Sequence, residues 1–338
     1  MDAIVLVGGQ GTRLRPLTAS RHKSLVPLRN RPAIGYLFDW LRRSGMERVV
    51  LALGQNNEDL ADAYPAGKHS GVEFVLVREH ERLESGGAIR NAVRRAGIDK
   101  RFVVLNGDVF VEFDFERALA EHHRTHAELT LALYDVPDPS QFGVAVTDAD
   151  SMVTGFVEKP PRGEAPGTLV NAGVWIFEPG LVNEIPTGAV RVEETLFPSL
   201  VARRRRVLGY TFEGLWADIG TWPRYLALNQ ALLEGDENVT GADVTIAAAA
   251  DVRRSSLGNG CTVEAGAKVE GSLLWETVRI GANAVVSDSV IADGAVIGEG
   301  ATVTGAVIGS GATVAATAVV PRGTSIDKDA RYDAEHEH

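Results

Sequence analysis

Residues 8–27 read GGQGTRLRPLTASRHKSLVP and combine residue types that could handle phosphate. A glycine-rich turn lets backbone N–H groups come close to phosphate oxygens. Here it directly follows the apolar run Ala3–Val7, and two cations, Arg13 and Lys23, flank it. Together they can neutralise a polyphosphate whose charge shifts during reaction. Two common glycine loops are excluded. A P-loop needs glycine, four residues and then Gly-Lys-Ser/Thr, and no such string occurs. A dinucleotide fingerprint counted from Gly9 and Gly11 would need its third glycine at Leu14.

Further along, two acidic strings stand out. Leu105-Asn106-Gly107-Asp108 closes the apolar run Phe102–Leu105, and Trp216-Ala217-Asp218-Ile219-Gly220-Thr221 precedes a helical pattern over Pro223–Leu233. Alone, each reads as well as a turn aspartate, the second ahead of a Thr221 N-cap. Phe156-Val157-Glu158-Lys159-Pro160 ends another apolar run on a charged pair, which a solvated strand end would also do. Val170-Asn171-Ala172-Gly173-Val174 offers an amide able to donate to and accept from hydroxyls. Glu81-Arg82-Leu83-Glu84-Ser85-Gly86-Gly87-Ala88 sets a carboxylate and small residues at a helix start.

These residues need a scaffold, and the periodicities supply one. Apolar strand candidates are Ala3–Val7, Val49–Leu53, Phe74–Val77, Phe102–Leu105, Leu129–Tyr134, Val153–Glu158 and Val170–Phe177. Between the first two, Ile34, Leu37, Phe38 and Leu41 recur at helical spacing from Pro32 to a stop at Gly45. A second helix runs over Ser85–Ala96 with Ile89 and Val93 on one face. Alternating helices and fully apolar strands predict an α/β domain, a Rossmann-like, mostly parallel sheet covered on both sides. Ligands of such sheets sit beyond the carboxyl ends of the strands, where the glycine turn and Asp108 fall.

After about residue 240 the texture changes. Bulky aliphatics recur at Ile280, Val286, Ile291, Ile297, Val303, Ile308, Val314 and Val320, at steps of six or five. Neither helix nor ordinary strand has that period. A parallel β-helix does, each hexad forming one short face with its aliphatic in a shared core. The pattern resembles the left-handed parallel β-helix of hexapeptide repeats, with the five-residue steps accommodated at corners. The expected division is 1–235, 236–326 for the β-helix, and a frayed polar tail over 327–338.

Composition narrows the class. The 338 residues allow two domains, and 45% of them are hydrophobic, enough for a core. A formal charge of −11 argues against a nucleic-acid partner. The single Cys261 excludes an internal disulfide framework and suits a reducing compartment. The apolar run after Asp2 is too short for a signal peptide, and no stretch is long enough to cross a membrane. The expectation is a cytoplasmic protein without a membrane partner.

The full glycine string, with Arg13, Pro16, Lys23 and Pro27, resembles the signature of the sugar-1-phosphate nucleotidyltransferases, or nucleoside-diphosphate-sugar pyrophosphorylases. His22 departs from it by standing where that family has proline. The two aspartate strings resemble the family's metal motifs in the same chain order. The resemblance implies a Mg²⁺ held by Asp108 and Asp218, which suits a hard cation that takes one or two carboxylates plus phosphate and water. It places Leu6, Gly8, Gly9, Gly11, Thr12, Arg13 and Lys23 on the nucleotide, with Arg13, Lys23, Asp108 and Asp218 as the catalytic set. Glu81, Ser85, Gly86 and Gly87 would meet the base. A carboxylate at Glu81 could accept from the two adjacent donors of guanine, which favours GTP. Gly143, Glu158, Lys159 and Asn171 would hold the sugar phosphate.

The implied reaction joins an NTP and a sugar 1-phosphate into an NDP-sugar and pyrophosphate, GTP and mannose 1-phosphate being the favoured pair. Thymidylyl or uridylyl transfer to glucose 1-phosphate and guanylyl transfer to a heptose 1-phosphate stay open. So does a silent NDP-sugar-binding subunit, although such a chain would be expected to lose Arg13, Lys23 or a metal aspartate. An acyltransferase in the repeats would want a histidine, and none occurs between residues 240 and 330. The repeats are read as an oligomerisation or regulatory element, implying a homo-oligomer. Arg203–Arg206 reads as a solvated helix end, and His122, His123 and His126 as part of a polar surface helix.

Overall fold

A computed structural model describes residues 1–55, 57–69, 71–235 and 237–333, so residues 334–338 of the expected tail lie outside the described residues. The chain forms two compact units: Met1–Gly9 with Tyr36–Trp216, and Gln10–Gly35 with Ala217 onward. Both are discontinuous in sequence. The stretch after Gly9 groups with the C-terminal part, which a single boundary at residue 235 does not describe.

The first unit is built on one sheet. In spatial order its strands are Val153–Glu158, Gly143–Thr147, Leu169–Phe177, Phe102–Asn106, Asp2–Val7, Arg48–Leu53, Val72–Arg78 and Gly67–His69; Leu129–Asp135 pairs with both Leu169–Phe177 and Val207–Thr211. Phe102–Asn106, Asp2–Val7, Arg48–Leu53 and Val72–Arg78 run parallel. Their apolar runs are buried on both faces, as parallel strands covered by helices require. The other half makes the sheet mixed: Leu169–Phe177 is antiparallel to Gly143–Thr147, Phe102–Asn106 and Leu129–Asp135. The neighbouring hairpin of Gly143–Thr147 and Val153–Glu158 is antiparallel by connectivity. Gly143–Thr147 returns as Val153–Glu158 through a tight turn closed by Asp148 N–H on the Met152 carbonyl (2.9 Å). A chain that reverses without a crossover helix pairs antiparallel.

The helices cover this sheet with the residues their periodicity selects. Ala33–Arg43 buries Ile34, Leu37, Trp40 and Leu41, and Glu84–Ala96 buries Ile89 and Ala92. Phe115–Arg124 starts at Asp114, whose carboxylate accepts the Arg117 N–H (3.1 Å). It is not a purely surface helix. His122 is buried, its Nδ1 against the Thr130 hydroxyl (2.7 Å) and its Nε2 against Glu178 (3.2 Å). Within the basic run, Arg203 and Arg205 pair with Glu184, and Arg205 also with Glu128.

In the second unit, helix Trp222–Ala231 leads into three parallel sheets of two- and three-residue strands. Ser256–Leu257, Leu273–Leu274, Val290–Ile291 and Val307–Ile308 stack on one face; the other two faces stack in the same way. This is the left-handed β-helix. The aliphatic column from Ile280 to Val320 is buried throughout. Each fully buried aliphatic stabilises by about 1.5–3 kcal/mol.

The five-residue step now has a physical account. One coil takes 17 residues, and its short step falls at a single corner, where Arg254, Gly271, Asp288 and Gly305 all have positive φ. Beside that corner runs a buried ladder of hydroxyls. The N–H groups of Ser272, Ser289 and Ala306 donate to the side chains of Ser255, Ser272 and Ser289 (3.1, 3.2 and 3.1 Å). Each serine hydroxyl in turn donates to the carbonyl two residues before it. Arg331–Tyr332 still pairs with Thr313–Val314, so the coils run past the expected end at residue 326.

Candidate active site

In the second unit the signature loop folds into three single turns of 3-10 helix, Thr12–Leu14, Leu17–Ala19 and Lys23–Leu25. Gly11 makes this possible. Its φ of +61° suits glycine, and a Cβ there would press on the Lys23 side chain (3.0 Å) and on Thr18 (3.1 Å). The Thr18 hydroxyl fixes the same turn by donating to the Gly11 carbonyl (2.8 Å). His22 does locally what a proline would do by stiffness: its Nδ1 accepts the Ser24 N–H (3.2 Å). Thr12 and Arg13 are exposed and Lys23 is half-buried.

Arg13 and Asp218 meet at Gly220. A Cβ on Gly220 would collide with Asp218 and come within 3.1 Å of the Arg13 guanidinium. Asp218 is held by its own turn, Oδ1 accepting the Gly220 N–H (2.9 Å) and Arg224 Nη1 (3.2 Å). Arg224 was not singled out from the sequence; its position one turn into the helix after Asp218 was the available signal.

The first unit carries the remaining residues. The Leu6 carbonyl accepts the Gly107 N–H (2.9 Å), so the turn carrying Asp108 lies against the end of the first strand. Asp108 is half-buried, and Gly8 and Gly9 are exposed. The carboxylate facing Gly8 belongs to Glu79, whose Oε1 is 3.5 Å from where a Gly8 Cβ would stand. Its Oε2 accepts the Leu83 N–H (3.1 Å), and burial pushes the carboxyl above the usual carboxylate range. Glu81, expected to serve the base, is exposed. Nothing in the local sequence distinguishes the two glutamates, because the difference is one of burial.

Gly86 and Gly87 also differ from expectation. Their open sides are filled by Ile185 and Val190 and by the Gly188 carbonyl, so their smallness serves close packing. Ser85 is engaged as well, donating to Glu193 (2.6 Å) and accepting the Val192 N–H (3.0 Å). Burial pushes the Glu193 carboxyl up.

Around the last cluster, Glu158 Oε1 pairs with Lys159 (3.0 Å) and Arg191 (3.5 Å), and Arg191 also holds Glu194 (2.9 Å). Glu158 Oε2 lies over Gly143, 2.7 Å from where a Cβ would stand. Asn171 sits at a break in register, and its Oδ1 is taken by the Gly173 N–H (3.1 Å) and Trp175 Nε1 (2.7 Å). Its Oδ1 is thus already engaged within the strand. Trp216 borders this strand, donating to the Ala172 carbonyl (2.9 Å) with Tyr134 and Phe142 against its ring.

As to a metal, the acidic donors are hard carboxylate oxygens, and among the described residues no cluster of three or more His, Cys, Asp or Glu is set to hold an ion. Each carboxylate is the kind of donor a hard cation takes alongside phosphate and water oxygens.

The chain is 34% identical over 237 residues to a mannose-1-phosphate guanylyltransferase of Mycobacterium tuberculosis, covering 70% of this chain and 65% of that one. It is 36% identical over 232 residues to mannose-1-phosphate guanyltransferase 2 of Candida glabrata, covering 67% and 63%. The chain thus spans somewhat under two thirds of the length of these relatives. Among solved structures, HddC from Yersinia pseudotuberculosis shares the fold, with a TM-score of 0.59 at 24% identity, covering 69% of this chain and 99% of that one. The LbH domain described for EIF2B subunit epsilon matches residues 226–329, the β-helix. The nucleotidyl transferase family matches residues 2–235, which contain the glycine loop, both aspartates and the mixed sheet. Over that length, the chain belongs to the nucleotidyl transferase family.

Proposed function

We propose that this chain transfers a guanylyl group from GTP to mannose 1-phosphate, giving GDP-mannose and pyrophosphate. The observation that carries nucleotidyl transfer is the paired placement of Lys23 against Gly11 and of Arg13 beside Asp218. The choice of GTP and mannose 1-phosphate rests on what the relatives are named for.

A phosphate oxygen of the sugar phosphate attacks the α-phosphorus, forming one P–O bond while the bond to the β-phosphate oxygen breaks and pyrophosphate leaves with its electron pair. The attacking oxygen is already anionic, so no general base is needed. The task is to bring two polyanions together in line, and positioning and charge stabilisation do this. Arg13 is the proposed cation for the leaving pyrophosphate and Lys23 the one for the α-phosphate. Gly8, Gly9, Gly11 and Thr12 offer backbone N–H groups. Asp108 and Asp218 are the proposed ligands of Mg²⁺, which when bound would neutralise phosphate charge.

On the base side, Glu81 is the proposed acceptor for the paired donors of guanine, and the Glu79 carboxyl stands beside Gly8 at the glycine turn. On the sugar side, Lys159 and Arg191 offer positive charge to the phosphate, Glu158 accepts from hydroxyls and the Asn171 amide donates to one. Cytoplasmic location, and a homo-oligomer built through the β-helix, are part of the same proposal.

Pyrophosphate release across a matrix of GTP, dTTP, UTP and ATP with mannose, glucose and heptose 1-phosphates tests it. Turnover confined to GTP with mannose 1-phosphate is expected. A preference for another pair would move the assignment within the family, and nucleotide binding without turnover on any pair would make the chain a silent subunit.

A further inference from the structure

Lys23 sits in a loop that buries Leu14, Leu17, Leu25 and Val26, and that loop is also tied down at both ends within the second unit. Before the lysine, Ser20 and Arg21 reach two stacked corners of the β-helix. Arg21 Nη2 pairs with Asp293 (2.9 Å), its guanidinium lies 5.0 Å from the centre of the Trp275 ring, and the Ser20 hydroxyl meets that of Ser310 (3.2 Å). Asp293 is itself aimed by the coil below, its Oδ1 accepting the Glu276 N–H (3.1 Å). After the lysine, the Tyr225 hydroxyl donates to the Pro27 carbonyl, and Trp275 Nε1 donates to Tyr225 (3.1 Å). Asn30 then donates to the Leu257 carbonyl (2.6 Å), and the Arg29 N–H donates to Asn229 (3.0 Å). Trp275 thus serves both ends, through its ring on one side and its N–H on the other.

The location of these ties is specific. They grip the chain two residues before Lys23 and four after it. A coil stacked on its neighbours by backbone hydrogen bonds is a stiff support. A planar guanidinium that pairs with a carboxylate and lies near an aromatic ring fixes direction as well as distance.

We propose that the β-helix is the brace of the transfer reaction, and that Arg21, held by Asp293 and Trp275, is a positioning residue that sets Lys23. This rests on the reading of Lys23 as the α-phosphate cation. It gives the repeats a mechanical part in turnover, separate from any role in assembly.

The test is steady-state pyrophosphate release by the full-length protein, with the substrate pair the matrix selects, for Arg21→Ala, Arg21→Lys, Asp293→Asn and Lys23→Ala, and for the doubles Arg21→Ala/Asp293→Asn and Arg21→Ala/Lys23→Ala. A misplaced charged group costs about ten- to a hundredfold in rate. Arg21→Ala and Asp293→Asn are expected to lower kcat by that order, with KM for the sugar phosphate little changed. Their double should be no worse than the worse single, and Arg21→Lys should recover part of the loss. In the Lys23→Ala background, Arg21→Ala should cost nothing further, which a merely stabilising contact would not predict. Wild-type kcat in Arg21→Ala and Asp293→Asn, with Lys23→Ala impaired, would overturn the brace and leave the proposed reaction standing. A full multiplicative loss in Arg21→Ala/Lys23→Ala would show that Arg21 does not act through the lysine. Wild-type turnover in Lys23→Ala would sink the role of the lysine and the brace together.

Discussion

The sheet unit and the β-helix bury polar groups in opposite ways. Under the sheet, carboxyl groups are buried: Glu79 behind the glycine turn and Glu193 behind the second helix, both pushed by burial toward the neutral form. In the β-helix the buried polar groups along the short corner are serine hydroxyls, each giving one hydrogen bond and taking one from the next coil. A hydroxyl satisfied on both sides costs little to bury and does not titrate in the physiological range. A buried carboxyl costs more and keeps a proton whose binding depends on its surroundings. The sheet therefore keeps groups able to respond to a charged ligand, while the buried serine corner of the β-helix carries no titrating group.

The strongest way to break this contrast is to remove the charges proposed to do chemistry. Arg13→Ala and Asp108→Asn are each expected to cut kcat by about a hundred- to a thousandfold, with far-ultraviolet circular dichroism unchanged. Near wild-type turnover in either would take that residue out of the mechanism. In the β-helix the matching insult is to packing. Ile297→Ala should lose about 2–5 kcal/mol of stability in urea unfolding, since Ile297 is fully buried in the axial column. A change under 0.5 kcal/mol would mean that the column relaxes around cavities.

A smaller effect tests the ladder. Ser272→Ala leaves the buried Ser289 N–H without its acceptor, and about 1–3 kcal/mol should be lost. Equal stability of the two proteins would show that the ladder contributes nothing net. The smallest effect is pH-dependent. The folded Glu193 carboxyl has a raised pKa, so its protonated form is favoured in the native state. Its contribution is complete below the unfolded value of about 4.5 and is lost as pH rises through the folded value. Glu193→Gln keeps an acceptor for Ser85 and removes the titration. It should melt above wild type at pH 8, and the gap should close toward pH 4. A gap independent of pH would assign the effect to something other than that proton.

What could be read in the chain beforehand follows the same division. The glycine turn, the parallel strands and the aliphatic column were legible because each is a short-range pattern whose geometry follows from spacing alone. The antiparallel half of the sheet was not, since Leu169–Phe177 acquires its neighbours through long-range pairing. Glu79 looked no different from Glu81, because the distinction between them is made by Gly8 and Leu83 in the folded chain. The steps of six and five were visible, but their meaning as one short corner per coil needed the stacking register. For the same reason the grouping of residues 10–35 with the C-terminal unit had no local signature.

The bond between Arg21 and Asp293 joins residues 272 positions apart. On the ribosome, the loop that carries Lys23 must wait for some 272 further residues before that partner exists. Synthesis proceeds at about 5–20 residues per second, so the wait is some tens of seconds. A truncated product ending before Asp293 would contain every signature residue through Asp218 and lack the Arg21 tie to Asp293, keeping those to Tyr225, Asn229 and Leu257. On the proposed brace, Lys23 would be fully set only once the fourth coil has been made.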